Sequence, residues 1–214
     1  MDNILKKYIL WYNFKYELTY FKITIGIIID LHDFIFKYIN FIRSDNMSQF
    51  KEISIEQYSC NPFQMIGEGW MLITAEKDGQ VNTMTASWGG LGHMWSKNVA
   101  FIVIRPQRYT KEFVDAADTF SLCFFDDNYK KTLAYLGGVS GRIEDKILKS
   151  GLTVSHYNDT PIFEEANSIL LCKKLFNQSF TKNSFIDTSI PTTSYVNDDY
   201  HVLYISEITT VLSK

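Results

Sequence analysis

The stretch NTMTASWGG, residues 82–90, carries small and hydroxylated side chains where a core-filling strand would carry Val, Ile or Phe. Thr83, Thr85, Ala86 and Ser87, with Met84 among them and Trp88 following, leave the backbone open to close approach. A flat ligand could lie along such a strand end and take hydrogen bonds from main-chain N–H groups. Gly89, Gly90 and Gly92 let the chain leave in dihedrals closed to other residues. The same residues also read as a hairpin end with a glycine loop. RPQRYT, residues 105–110, offers a different chemistry. Pro106 stops a strand ladder, and Arg108, Tyr109 and Thr110 then arrive at a predicted helix N-terminus. Guanidinium forks, a hydroxyl and free N–H groups at a positive helix end suit an anion, most naturally phosphate. A capped helix with surface arginines is the bland alternative. GGVSGRIEDK, residues 137–146, adds Ser140, Gly141, Arg142 and Lys146 around a further helix start, again suited to an anion.

Other chemistries are excluded by what the chain lacks. There is no GxxxxGK[ST] loop and no GxGxxG after a strand, which removes P-loop and simple dinucleotide folds. GxSxG is absent, and no Ser is paired with His and Asp in a hydrolase pattern. His93, His156 and His201 show no metal-ligand spacing, so no metal site is expected. His201, between aromatics in a strand, reads as structural, and no side chain is assigned a catalytic acid or base role. Glu164-Glu165 reads as a helix start or a solvated face. The net charge of −3 gives no nucleic-acid footprint. Cys60, Cys123 and Cys172 are odd in number and far apart; two sit in apolar runs. They read as buried free thiols in a reducing compartment, the cytoplasm.

These segments need a scaffold of strands. Short apolar runs at 69–75, 81–88, 98–105, 119–125, 168–176 and 200–212 are rich in β-branched and aromatic residues and bounded by Gly, Asn, Asp or Pro. Asp78-Gly79 predicts a hairpin between the first two. Helices are fewer: one N-capped by Thr110 and running through Ala117, one capped by Asp127 or Asn128 and ended after Leu136 by Gly137-Gly138, and one near Asp145–Lys149 stopping at Gly151. Residues 177–198 read as a long polar surface loop. The fold class is mainly β, a β-barrel with short helices.

The first 46 residues differ from the rest. They are rich in Ile, Phe, Tyr, Lys and Asn, residues of AT-rich codons, and contain no Ala, Val, Pro or Gln. Their most apolar piece, ITIGIII, is far shorter than the roughly 20 residues of a spanning helix. No secretory cleavage site follows it. Residues 1–46 are read as translated upstream sequence with the natural start at Met47, or else as an interfacial anchor. Residues 47–214 form one domain.

In order and spacing, NTMTASWGGLGHMW, RPQRYT, DTFSLCFF, SGRIEDK and DYHVLYISEI resemble the flavin reductase-like family, flavoredoxin-type branch, from about Phe63 to Leu212. The resemblance implies an FMN-binding split β-barrel and a homodimer with FMN held non-covalently near the subunit interface. It implies that Thr83–Trp88 border the isoalloxazine, that Arg105–Thr110 hold the ribityl phosphate through Arg108, Tyr109 and Thr110, and that Ser140, Gly141 and Lys146 border the cofactor. Relatives often have an acidic residue directly after SGR, where this chain has Ile143. The implied activity is oxidoreduction: NAD(P)H delivers hydride to the flavin, which passes electrons to a flavin, iron or protein acceptor. A flavin-binding electron carrier with little reductase activity fits the same residues. Neither a membrane nor a nucleic-acid partner is expected.

Overall fold

The computed structural model describes residues 49–214; the expectation of a start at Met47 and of a foreign segment over 1–46 lies outside them. Ten strands and four α-helices follow in chain order: β1 (Lys51–Ile53), β2 (Met71–Lys77), β3 (Gln80–Ala86), β4 (Gly89–Met94), β5 (Lys97–Ile104), α1 (Tyr109–Ala116), β6 (Thr119–Phe124), α2 (Lys130–Gly138), α3 (Lys146–Ser150), β7 (Val154–Tyr157), β8 (Thr160–Phe163), β9 (Ser168–Ser179), α4 (Ser189–Ser194) and β10 (Val202–Ser213). The main sheet is antiparallel in the order β3-β2-β6-β9-β10-β5-β4, with β1 added along β10. Thus β3 and β4, neighbours in sequence, are the two edges of the sheet. Only Ser87 and Trp88 separate them, and three residue steps span at most about 11 Å. The two edges must therefore meet at that end, which rolls the sheet into a barrel with a split.

Alternation fills the inside. Met71, Ile73 and Ala75 of β2, Ala100, Ile102 and Ile104 of β5, and Phe120, Leu122 and Phe124 of β6 converge on one core. Strand β10 contributes Val202 and Tyr204, then Ile208 and Val211. Register shifts against β9 at Ile205/Ser206 and Ile208/Thr210 break its strict two-residue alternation. The outer face of β6 is covered by the β7–β8 hairpin: the Ser121 hydroxyl donates to the Pro161 carbonyl at 2.5 Å, and Ile162 and Phe163 are fully buried. Cys123 and Cys172 are buried free thiols, as expected, and burial pushes the Cys123 thiol up to about 11.

Several boundaries differ from the sequence reading, each for a local reason. Gly89, Gly90 and Gly92 do not form a loop; they lie in β4, paired to β5. A Cβ at Gly89 would lie 2.4 Å from the Phe101 carbonyl oxygen, so the strand approaches where only glycine fits. Its hairpin to β5 turns through Trp95 and Ser96, both at positive φ, which no Gly or Asn announces. Thr110 does not cap α1. Arg108 holds the N-cap position, and the buried Thr110 hydroxyl instead accepts from Asn82 Nδ2 at 3.1 Å. Helix α2 runs on through Gly137 and Gly138, because the former packs on Thr85, with a Cβ there 3.0 Å from Thr85 Cβ. Residues 177–198 are not one loop: β9 continues to Ser179, and α4 follows, with Pro191 and Tyr195 buried. Gly151 ends α3 at φ 74°, as expected, and Asp145 caps its start by accepting from Leu148 N.

Gly89→Ala is expected to destabilise the barrel by about 1–3 kcal/mol, the scale of a strained backbone position. Urea denaturation measures it; an unchanged midpoint would mean that β4 can move off β5.

Candidate functional site

The split is where the sequence-selected residues meet. The end of β3 and its link to β4 supply Met84, Thr85, Ala86, Ser87 and Trp88 to a cavity of about 150 Å³. Val103, Arg105, Arg108 and His201 complete it. As an edge strand β3 pairs only with β2, so alternate N–H and C=O groups along it point away from the sheet. The side chains are bare because their own polar atoms are spent inward. Thr85 Oγ1 donates to the Leu133 carbonyl of α2. Thr83 is fully buried, its hydroxyl shared with Thr74 Oγ1 at 2.8 Å and donated to the Ile73 carbonyl at 3.1 Å. Thr83 therefore fixes β3 on β2 and is the one member of the 83–88 set whose side chain lines neither cavity.

A second cavity of about 350 Å³ shares Met84, Arg105 and Arg108 with the first. Tyr109, Thr110, Ser140, Gly141, Lys146 and Asp199 are among its walls. At its floor α1 begins, and an α-helix leaves its first N–H groups without a helical acceptor. The Lys111 N–H turns back to the Arg108 carbonyl at 3.0 Å. Arg108 donates to the Gly137 carbonyl at 2.7 Å, and Lys146 Nζ donates to the Leu136 and Val139 carbonyls at 2.7 and 2.9 Å. Both cations thus sit on the carbonyl end of α2, whose dipole favours positive charge. Burial and then the neighbouring Arg108 charge lower the Lys146 ammonium to about 8. Gly141 closes one wall: a Cβ there would meet Asn82 Oδ1 at 2.6 Å and Tyr109 Cδ1 at 3.3 Å. Arg142 lies outside, over the Tyr109 ring at 4.5 Å and paired with Glu112.

Arg105 stands between the two cavities with its guanidinium already engaged. It pairs with Asp199, donates to the Ser194 carbonyl at 2.8 Å and lies 5.2 Å over the Tyr195 ring. It therefore clasps the 194–199 segment, and Arg108, Lys146 and the start of α1 are the positive groups left to the larger cavity. The sequence reading missed His201, Asp199 and Gln107 as site residues. DYH was visible, but nothing local placed it across the barrel from Trp88. His201 packs its ring 5.0 Å from that of Trp88, and burial, then the Arg105 charge, lower it to about 4. Asp199 Oδ1 is buried with no partner among the described residues, an acceptor at the cavity wall.

A scan against protein-family models matches residues 63–212 to the flavin reductase like domain. This chain belongs to the flavin reductase-like family. Among solved structures it is similar to the FMN-binding domain of a flavin reductases-like enzyme from Shewanella baltica (TM-score 0.57, 16% identity, 77% of this chain and 76% of that one). It is also similar to flavoredoxin from Methanosarcina acetivorans (0.55, 21%, 68% of each) and flavoredoxin of Desulfovibrio vulgaris (0.53, 21%, 68% and 69%). The search among curated proteins found no match. The split-barrel expectation agrees with these neighbours, and so does FMN as the cofactor. The donor set fits FMN: two lysine or arginine cations and a helix start for a phosphate dianion, joined to a bare edge strand for a planar ring. Among the described residues no group of His, Cys, Asp and Glu could hold a metal ion. No helix among them is long and apolar enough to cross a membrane.

Lys146 is charged below about 8 and neutral above it. Affinity for a phosphate-bearing ligand is therefore expected to fall as pH rises past that value, by about tenfold, the scale of one charge-assisted hydrogen bond. Titration of FMN from pH 6.5 to 9.5 checks this; Lys146→Met is expected to flatten the profile, and an unflattened one assigns the dependence elsewhere.

Proposed function

We propose that this chain binds FMN and is an oxidoreductase that passes electrons from NAD(P)H to a flavin, iron or protein acceptor. The observation that carries the reading is the junction of the two cavities through Met84, Arg105 and Arg108. One end is cationic and the other is a wall of bare backbone, which matches a planar ring tethered to a phosphate. When bound, FMN supplies the redox chemistry, accepting a hydride and returning electrons singly or in pairs. The chain's own residues bind and orient. Arg108 and Lys146 neutralise the phosphate with the N-terminal turn of α1, and Tyr109, Ser140 and Gly141 shape its cradle. The 84–88 backbone lies along the ring and excludes water from that face. No side chain of the site needs to give or take a proton for hydride delivery.

Arg108→Ala is expected to weaken FMN by about 1.5–3 kcal/mol and to weaken riboflavin, which lacks the phosphate, by clearly less. Fluorescence titration of both ligands measures this; equal losses for the two would remove Arg108 from the phosphate end. The likeness to flavoredoxins favours a second reading, an electron carrier with little reductase activity of its own. Anaerobic mixing of the FMN-loaded protein with NADH and NADPH separates the two. The reductase reading expects bleaching of the oxidised-flavin band at about 450 nm with at least one nucleotide, and bleaching with neither selects the carrier.

We further propose a homodimer. The β4–β5 turn exposes Trp95, whose ring lies 6.2 Å from that of the exposed Phe176, with Met94 and Leu175 also exposed. Such a patch beside an uncovered strand edge suits burial against a second copy. Sedimentation velocity is expected to give a dimer that Trp95→Lys shifts toward monomer; a monomeric parent protein overturns it.

A further inference from the structure

The segment that Arg105 clasps carries a pair of residues with a chemistry of its own. Tyr195 and His201, both buried, place the phenol oxygen 2.8 Å from His201 Nδ1. Their rings meet edge to face, 5.4 Å between centroids. His201 also lines the cavity beside Thr85–Trp88, and its Nε2 has no hydrogen-bond partner among the described residues. Nor is Nε2 among the sealed polar atoms of the described residues, and the cavity is an opening that the His201 side of the site lines.

A neutral imidazole carries one proton, and which nitrogen holds it is decided by the partner of the other. Two arrangements satisfy the 2.8 Å contact. Either Tyr195 O–H donates to Nδ1, which leaves the proton on Nε2, or Nδ1–H donates to the phenol oxygen. In the second, the phenol hydrogen needs another acceptor, and none exists for this buried hydroxyl among the described residues. The Arg105 guanidinium over the Tyr195 ring makes the hydroxyl a stronger donor, while burial keeps it protonated. The charged groups around His201 are Arg105 and Arg108, which oppose its protonation, and Asp199, which favours it; burial is the largest effect, and with the two arginines it holds His201 neutral above about 4.

We infer that Tyr195 is a positioning residue that fixes His201 as the neutral Nε2–H tautomer, giving the ring-side cavity a hydrogen-bond donor for a carbonyl oxygen of a planar ligand. The inference rests on the FMN-site reading for the ligand, but the tautomer does not depend on it. A carbonyl oxygen gains negative charge when its ring system is reduced, so a fixed neutral donor favours the reduced form without surrendering a proton. The carbonyl belongs either to the flavin or to a planar organic acceptor that packs beside Trp88.

Long-range proton–nitrogen correlation spectra of the flavin-free full chain, with nitrogen-15 in its histidines, test the tautomer at pH 7.5. The His201 signals, identified by their loss in His201→Gln, are expected to show protonated Nε2 and bare Nδ1, and Tyr195→Phe is expected to convert them to a tautomer mixture. A protonated Nδ1, or a pattern that Tyr195→Phe leaves untouched, overturns the inference even if FMN binds as proposed. The donor role is tested by exchange: a Gln amide reproduces Nε2–H, whereas an Asn amide reaches only as far as Nδ1. His201→Asn is expected to lose about tenfold where His201→Gln retains most of the effect. If the loss appears in FMN affinity, the donor serves the flavin; if only in KM for menadione as a planar dicarbonyl acceptor, it serves the acceptor. Equal behaviour of the two variants in both measurements removes the donor. Absence of any FMN binding by the parent protein would end the functional reading while leaving the tautomer result standing.

Discussion

The organisation of this protein depends on two residues of chain, Ser87 and Trp88, that tie one edge of the sheet to the other. Because β3 and β4 sit at opposite ends of the strand order, a link this short cannot exist on an open sheet. It rolls the sheet, yet it does not complete the ladder, since β3 pairs only with β2 and β4 only with β5. The seam that remains has main-chain groups facing outward on a strand whose side chains are small. Unpaired strand edges are ordinarily a hazard that proteins cover or charge. Here the seam is bordered by charge: Arg105 and Arg108 arrive from the end of β5, and Lys146 from the start of α3.

Positive charge at the seam is held in place by carbonyls. Arg108 and Lys146 both bind the C-terminal carbonyls of α2, so the helix dipole offsets part of the repulsion between them. Burial first, and the Arg108 charge second, leave the Lys146 ammonium easier to deprotonate than that of an exposed lysine. This is the proposed anion end. Arg105 acts elsewhere. Its bonds to Asp199 and the Ser194 carbonyl bring the 194–201 segment over the ring-side cavity, where His201 meets Trp88. The two ends proposed for FMN, phosphate and ring, are thus built from different neighbours of one short turn after β5.

The small side chains of β3 also look different in their packing context. Thr83 and Thr85 are neither idle nor ligand-facing through their hydroxyls; they bond to β2 and to α2, and so keep the strand flat and its outer surface unobstructed. Gly137 on α2 lies so close to Thr85 that a Cβ there would press on Thr85 Cβ at 3.0 Å. Bareness at the site is therefore produced by inward hydrogen bonding as much as by residue size.

The sequence by itself determined six of the ten described strands, the Asp78-Gly79 hairpin, the buried thiols Cys123 and Cys172 but not the half-buried Cys60, and the three segments from which the site is made. Those features are local: alternation, turn chemistry and helix-end residues act within a few positions, and a family pattern is read along the chain. Only the tertiary structure decided that Gly89–Met94 is a strand, because a glycine run becomes one through the partner β5, not through propensity. Only it gave Arg105, which lines both cavities, the further task of clasping a distant segment, and brought His201 from a structural strand position to the cavity. Those roles come from contacts about ninety residues apart in the chain, as in the Arg105–Asp199 pair, and no local rule carries them.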